Sequence, residues 1–128
     1  MKIRSSFVTN SSSSSFIVSS IFTGKELEEK LIKVFGVPES SPLYNISKLI
    51  AKDLSNTKMF SLKEYLYNWD YNSLDDMENK ELVECIKKGW NILEGYASNE
   101  GDEIDMILCY LAINYRDDEL YIYKEEGY

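Results

Sequence analysis

The sequence contains no histidine among its 128 residues. Histidine is the side chain most often used as a general base near neutral pH, and it is also the commonest metal ligand. Its absence excludes catalysis by Ser–His or Cys–His pairs and leaves only carboxylate, lysine or tyrosine chemistry. We therefore expect a protein that is not an enzyme and that holds no metal ion and no other cofactor.

Cysteines and long apolar runs are also scarce. We expect the only two cysteines, Cys85 and Cys109, to be buried reduced thiols, because disulfides are rare outside oxidising compartments. No apolar stretch approaches the roughly 18 residues that a membrane-spanning helix needs. Lys2 and Arg4 are not followed by the apolar core of a signal peptide. These features predict a cytoplasmic protein that makes no contact with a membrane.

Charge is distributed unevenly along the chain. The net charge is −8, yet residues 75–128 alone carry fifteen acidic residues against five basic ones. This half of the chain would repel nucleic-acid phosphates, so we expect no direct contact with nucleic acid. It favours instead a protein partner that is basic or that itself binds nucleic acid. The sequence does not specify an oligomeric state.

Apolar residues recur at helical spacing in several parts of the chain. The predicted helices cover about residues 23–35, 41–54, 61–69, 76–88 and 103–114. Capping boxes begin at Thr23 and Ser61, and Ser41 is the expected cap of the second helix. The last helix is apolar on nearly every side, so we expect it to be the central and most deeply buried element.

Extended segments are predicted near both ends of the chain. Residues 7–8 and 16–22 flank a run of five serines and are expected to form an N-terminal hairpin, with Phe16 and Val18 facing the core. Alternating apolar residues predict two more strands near 90–97 and 119–124. We therefore expect residues 1–128 to form a single α+β domain, in which about five helices cover a small, mainly antiparallel sheet.

The string RSSFVTNSSSSSF, residues 4–16, carries a resemblance to known sequences. It resembles R-x-G-F-V-S-N-S-S-S-S-S-F, a signature at the start of many small uncharacterised proteins of bacteriophages and bacteria. This chain departs from the signature at Ser6, where glycine is usual, and at Thr9, where serine is usual. The resemblance implies an origin in a phage or mobile element, and no activity is attached to it.

The polar stretch inside that string has three explanations. It is the loop of the N-terminal hairpin, or a recognition or processing tag, or a set of backbone amides that cradle a phosphate. The third explanation lacks the glycine and lysine pattern of phosphate-binding loops, and the hairpin loop is the one we favour. The residues of the candidate tag are Asn10, Ser11, Ser12, Ser13, Ser14 and Ser15.

Two acidic stretches form the candidate interaction surface. They make either one negative face that imitates nucleic-acid phosphates or a solvated face that keeps the protein soluble. The first stretch lacks the spacing of a calcium loop, and a helix dipole explains acids at a helix N-terminus, so no metal is expected. The candidate residues are Glu100, Asp102, Glu103, Asp105, Asp117, Asp118 and Glu119.

Three functions are compatible with these features. The first is a non-enzymatic acidic binding protein of a phage or mobile element, which occupies a host protein as an anti-defence or nucleic-acid-mimicking inhibitor. The second is a small enzyme that uses carboxylates such as Glu94, Glu100 and Asp102. The third is a protein that sequesters a nucleotide or another small molecule. An acidic convex face without a pocket would favour the first function, and a deep pocket with paired carboxylates would favour the second.

Overall fold

The structure is a computed structural model that describes residues 13–98, 100–110 and 113–126. The strands are β1 (Ser13–Ser20), β2 (Lys58–Phe60), β3 (Asn91–Ser98), β4 (Asn114–Arg116) and β5 (Leu120–Glu126). The helices are α1 (Gly24–Phe35), α2 (Tyr44–Ser55), α3 (Leu62–Asn68), α4 (Lys80–Lys87) and α5 (Glu103–Tyr110), and Leu74–Asp76 forms a 3-10 turn. The predicted α+β class is confirmed.

The strands form one antiparallel sheet in the order β2-β3-β1-β5-β4. β1 is the central strand: it pairs along its whole length with β3, and with β5 from Ser14 to Ser20. The strands predicted near 90–97 and 119–124 are confirmed as β3 and β5. The edge strands β2 and β4 were not predicted, because three residues are too few for a pattern of alternation to appear.

The first face of the sheet is covered by α1, α2 and α5. Its buried core is almost entirely aliphatic, and Phe16 is its only buried aromatic residue among those described. The core residues are Phe16, Val18, Leu27, Leu31, Ile50, Ala51, Leu54, Leu93, Ala97, Leu108, Cys109, Leu120 and Ile122. Phe16 and Val18 are buried, as predicted.

The second face is covered by α3, the 3-10 turn and α4, and its core contains more aromatic residues. The buried residues are Ile17, Tyr65, Met77, Leu82, Val83, Cys85, Trp90, Ile92 and Tyr121. The chain is therefore a three-layer structure with the sheet in the middle. Both cysteines are free and buried, as predicted, and they lie in the cores of opposite faces.

The prediction that the last helix is central is wrong. α5 buries Leu108 and Cys109 against the first face, but Met106 is 43% exposed, so the helix belongs to an outer layer. The predicted helix also ran as far as Asn114, which instead begins β4. The central element is β1, whose two neighbouring strands and two helical layers enclose it on every side.

The serine run is part of that central strand rather than a loop. Ser13 begins β1, and Ser14 and Ser15 are buried within it. The Ser14 hydroxyl donates to the carbonyl of Cys109 at 3.1 Å, which satisfies it in the core. The first strand of the predicted hairpin, at residues 7–8, lies outside the described residues.

Several predicted helix starts also need correction. α2 begins at Tyr44, because the backbone before it forms a turn in which the Ser41 hydroxyl accepts from the amide of Leu43. α4 begins at Lys80 with Asn79 as its cap, and residues 74–76 form the separate 3-10 turn. Thr23 makes no capping bond from its side chain. The capping box that starts at Ser61 is confirmed.

Candidate functional site

A cavity of about 380 Å³ opens on the second face of the sheet. Ser15 and Ile17 of β1 and Met77, which precedes α4, contribute to its wall. Most of the remaining wall is aromatic, formed by Tyr65, Trp69, Tyr71, Tyr121 and Tyr123. Cavities that bind small ligands usually have about 300–1,000 Å³, so this one suits a compact ligand or a single side chain.

The aromatic wall is built by two simple periodicities. Tyr121 and Tyr123 are two residues apart in β5 and therefore lie on the same face, with parallel rings whose centroids are 6.4 Å apart. Tyr65 and Trp69 are four residues apart at the end of α3, again with 6.4 Å between ring centroids. One pair comes from the sheet and the other from the helical layer, so the cavity lies between two sets of rings.

Asn79 connects the helical layer to the sheet beside the cavity. Its Oδ1 accepts from the amide of Leu82, which caps α4, and its side chain also meets the Tyr121 hydroxyl, with 3.0 Å between Nδ2 and the hydroxyl oxygen. Burial raises the pKa of Tyr121, so its hydroxyl stays neutral and keeps its proton at physiological pH. Asn79 and Tyr121 therefore place polar atoms at one side of the aromatic part of the wall.

Glu94 is a buried carboxylate next to this wall. It lies in the middle of β3, beside Ile17 of β1, and its Oε1 accepts from the indole Nε1 of Trp69 at 3.1 Å. This bond fixes the orientation of the indole ring. Glu94 does not meet Glu100 or Asp102, because these residues follow the end of β3, about 13 Å along the strand from Glu94. The predicted carboxylate constellation is therefore not assembled.

The rim of the cavity is acidic. Residues 70–84 carry six carboxylates and one lysine, and Glu78, Lys80 and Glu81 line the cavity directly. The lysine, Lys80, donates to the backbone carbonyl of Asp75 at 3.2 Å. Arg116 of β4 pairs with Glu81 at 3.1 Å and with Glu84 at 2.9 Å. The rim keeps an excess of negative charge after these pairings.

The two predicted acidic stretches lie at opposite ends of the sheet. Ser98, which precedes the stretch at 100–105, pairs with Ser13, whereas Leu120, which follows the stretch at 117–119, pairs with Ser20. The eight residues of β1 separate these ends by roughly 23 Å. Glu100, Asp102 and Glu103 are exposed, and the side chain of Asp105 lies outside the description. A single face formed by both stretches is therefore not present.

The second stretch has a structural role in the turn between β4 and β5. Asp117 and Glu119 both pair with Lys30 of α1, at 2.9 and 2.8 Å, while Asp118 is exposed. Partial burial alone would raise the pKa of Asp117, but bonds from the Glu119 amide, the Lys30 ammonium and the Tyr115 hydroxyl outweigh it and lower the pKa to about 2. The hydrogen bonds that Lys30 donates to the carboxylates of Glu119 and Asp117, the first having the larger effect, raise the pKa of Lys30.

Only part of the candidate tag lies within the description. Asn10, Ser11 and Ser12 lie outside the described residues. Ser13 is in β1, and Ser14 and Ser15 are buried at 3% and 2% exposure, so neither is displayed on the outer surface as a tag would be. Ser15 instead contributes to the wall of the cavity. One residue of the serine run is therefore part of the candidate site, which the sequence did not indicate.

Sequence reasoning missed most of this cavity. Tyr121 and Tyr123 lie in the strand predicted near 119–124, and Tyr65 and Trp69 lie in the helix predicted at 61–69, but the two patterns do not indicate that these rings share one cavity. The usable signal was the aromatic spacing of Tyr65 and Trp69, followed by Tyr71 in a polar segment. These rings come close to Tyr121 and Tyr123 of β5 only in the tertiary structure, which no local pattern reveals.

Comparisons with known proteins do not assign the chain to a family: no family model, no curated protein and no solved structure matches it. Within residues 13–98, 100–110 and 113–126 no cluster of three potential ligand side chains could hold a metal ion. Over the same ranges, no helix has both the length and the apolar character needed to cross a membrane.

Proposed function

We propose that this protein is a non-enzymatic binding protein that captures a basic protein partner on the face that carries the cavity. The observation that carries the proposal is the aromatic cavity with an acidic rim. Aromatic side chains contribute strongly to binding at the centres of protein interfaces. Acidic groups around them accelerate association with a basic surface and exclude acidic competitors.

The origin that the N-terminal resemblance implies is consistent with this proposal. The resemblance of residues 4–16 to the phage and bacterial signature supports a gene of a phage or mobile element. A binding protein from such a gene acts in the host cytoplasm by occupying a host protein. A host protein that binds nucleic acid has a basic groove, which an acidic rim would engage, so an anti-defence inhibitor is the specific role that we propose.

Sequestration of a small molecule is the second candidate, and the cavity itself favours it. Aromatic rings stack on planar ligands, and a nucleobase would fit between the two sets of rings. The acidic rim opposes this for a nucleotide, because it repels the phosphate groups. An enzyme is less well supported, since the buried Glu94 is engaged by Trp69 and the carboxylates at 100 and 102 lie far from it.

Charge reversal on the rim tests the proposal. We would replace Asp75 and Glu78 by lysine and compare capture of host proteins by the tagged variant and by the tagged wild type. Neither of these two side chains forms a hydrogen bond or ion pair within the described structure. Glu26 and Glu29 of α1, replaced in the same way, provide the matched control, because both are exposed and lie on the opposite side of the sheet.

We expect a basic host protein to be retained by the wild type and by the α1 control, and to be captured about tenfold less by the rim variant at low salt. Added salt should weaken the capture by wild type. Equal retention by both variants, or retained proteins that are predominantly acidic, would overturn the proposal.

A further inference from the structure

We infer that the cavity receives one guanidinium group, the side chain of an arginine in the captured protein. This inference rests on the proposed function for the identity of the partner. The choice of a guanidinium rests separately on the chemistry of the cavity wall. The cavity has about 380 Å³, enough for one extended side chain and too little for a folded element.

The rings provide the first reason for a cation. Tryptophan and tyrosine faces attract cations, and the flat guanidinium of arginine also stacks on aromatic rings. Trp69 and Tyr65 face the cavity from α3, and Tyr121 and Tyr123 face it from β5. A planar group between the helical layer and the sheet would therefore meet rings on two sides.

The polar atoms in the wall select among cations. The Ser15 hydroxyl and the carboxylates of Glu78 and Glu81 offer oxygen acceptors at the cavity, whereas the Asn79 Oδ1 already accepts from the Leu82 amide. Guanidinium carries five N–H donors spread in a plane, whereas an ammonium has three on one atom and a trimethylated ammonium has none. A wall that combines ring faces with several separate acceptors matches the guanidinium best.

The charge around the cavity agrees with this assignment. Residues 70–84 carry six carboxylates and one lysine. Their negative electrostatic potential attracts a cation and repels a phosphate. The buried Glu94 accepts from the indole Nε1 of Trp69 at 3.1 Å, which holds in place the ring on which a guanidinium would stack.

The test uses short peptides as probes, with binding followed by NMR of the isotope-labelled protein. The probes are acetyl-Gly-X-Gly-amide peptides in which X is arginine, citrulline, lysine or trimethyllysine, together with free arginine amide. Citrulline has nearly the shape of arginine without its charge. We expect the arginine peptide to shift the indole N–H signal of Trp69, and the citrulline peptide to bind about tenfold more weakly.

Two variants with a matched control locate the site. Tyr71→Leu and Tyr123→Leu each remove a ring from the wall while keeping apolar bulk, and we expect each to weaken the arginine peptide by about fivefold to tenfold. Tyr67→Leu is the control, because Tyr67 is on α3, is 81% exposed and does not line the cavity. The NMR spectrum of each variant reports whether it is folded, and two independent wall variants keep the test valid if one is not.

The outcomes separate this inference from the proposed function. Equal binding of the arginine and citrulline peptides, or binding unchanged by both wall variants, would overturn the guanidinium site. If arginine and lysine peptides bind equally and only the Asp75 and Glu78 reversal weakens them, the acidic capture surface survives and the guanidinium site fails. If arginine amide binds in the cavity while no basic protein is captured, the guanidinium site survives and the protein partner is overturned.

Discussion

The first face of the sheet is closed by aliphatic side chains, whereas the second face keeps an aromatic cavity open to solvent. Phe16 and Val18 point to the first face, and Ile17, between them in β1, contributes to the wall of the cavity on the second. One strand therefore serves both faces through simple alternation. The close packing of the first face therefore serves stability, while the proposed binding site lies on the second, so substitutions on the two faces should have different consequences.

Phe16→Ala is the strongest test of that separation. Phe16 is 4% exposed in the core of the first face, and its removal should lower the free energy of unfolding by about 3–5 kcal/mol. Tyr123→Ala, in the neighbouring strand on the second face, should cost well under half as much, because it enlarges a cavity that already exists. Urea unfolding of both variants measures the difference. Equal costs would show that the two faces are equally important for stability.

Gly95→Ala tests how closely the first face is packed. A methyl group at Gly95 would lie 2.5 Å from Cγ2 of Thr57 and 2.8 Å from the ring of Phe16, so one added carbon has no room. We expect a loss of about 1–3 kcal/mol in the free energy of unfolding. Thr57→Ser removes Cγ2 and keeps the hydroxyl that donates to Leu54, so it should recover part of this loss in the double variant. A Gly95→Ala variant as stable as wild type would show that the first face has spare volume.

The smallest expected effect concerns the charges that attach the helices to the sheet. The folded pKa of Asp117 is about 2, below its ordinary value of 3.8, so its bonds stabilise the protein fully above about pH 4 and are lost as pH falls towards 2. Asp117→Asn should therefore cost at most about 2 kcal/mol at pH 7 and almost nothing near pH 2.

Glu84→Gln is the matched change on the second face. The Glu84 side chain is 61% exposed in its pair with Arg116, so its loss should cost less than about 0.5 kcal/mol at pH 7. Chemical unfolding of wild type and both variants at pH 7 and pH 3 distinguishes the two pairs. A larger effect for Glu84 than for Asp117 would reverse the comparison.

Much of the fold could be predicted from local patterns. The Ser61 capping box and the left-handed Gly36 that ends α1 are signals contained in a few neighbouring residues, and both are confirmed. The position of α5 could not be predicted in this way. Its residues are apolar on most sides, and only the packing of α5 against the first face decides that Leu108 is covered while Met106 is exposed.

The candidate site was less predictable than the fold. Composition drew attention to the acidic half of the chain, but it could not show that residues 100–105 and 117–119 lie at opposite ends of the sheet. Serine is common in turns, so the sequence predicts that the serine run forms a loop. In the structure Ser14 and Ser15 suit a central strand, because small side chains fit the limited space there and Ser14 finds a carbonyl acceptor at Cys109.

The central position of β1 also constrains how the chain folds. The Ser20 hydroxyl donates to the carbonyl of Glu119, which lies 99 residues later in the sequence. At about 5–20 residues per second, the ribosome needs roughly 5–20 s to make the chain between them. β1 must wait for β3 and then still longer for β5, and contacts between such distant residues form slowly even after synthesis. Incorporation of β1 into the sheet is therefore expected to be slow, and a chaperone that shields the Phe16–Val18 segment during synthesis would increase the yield of folded protein.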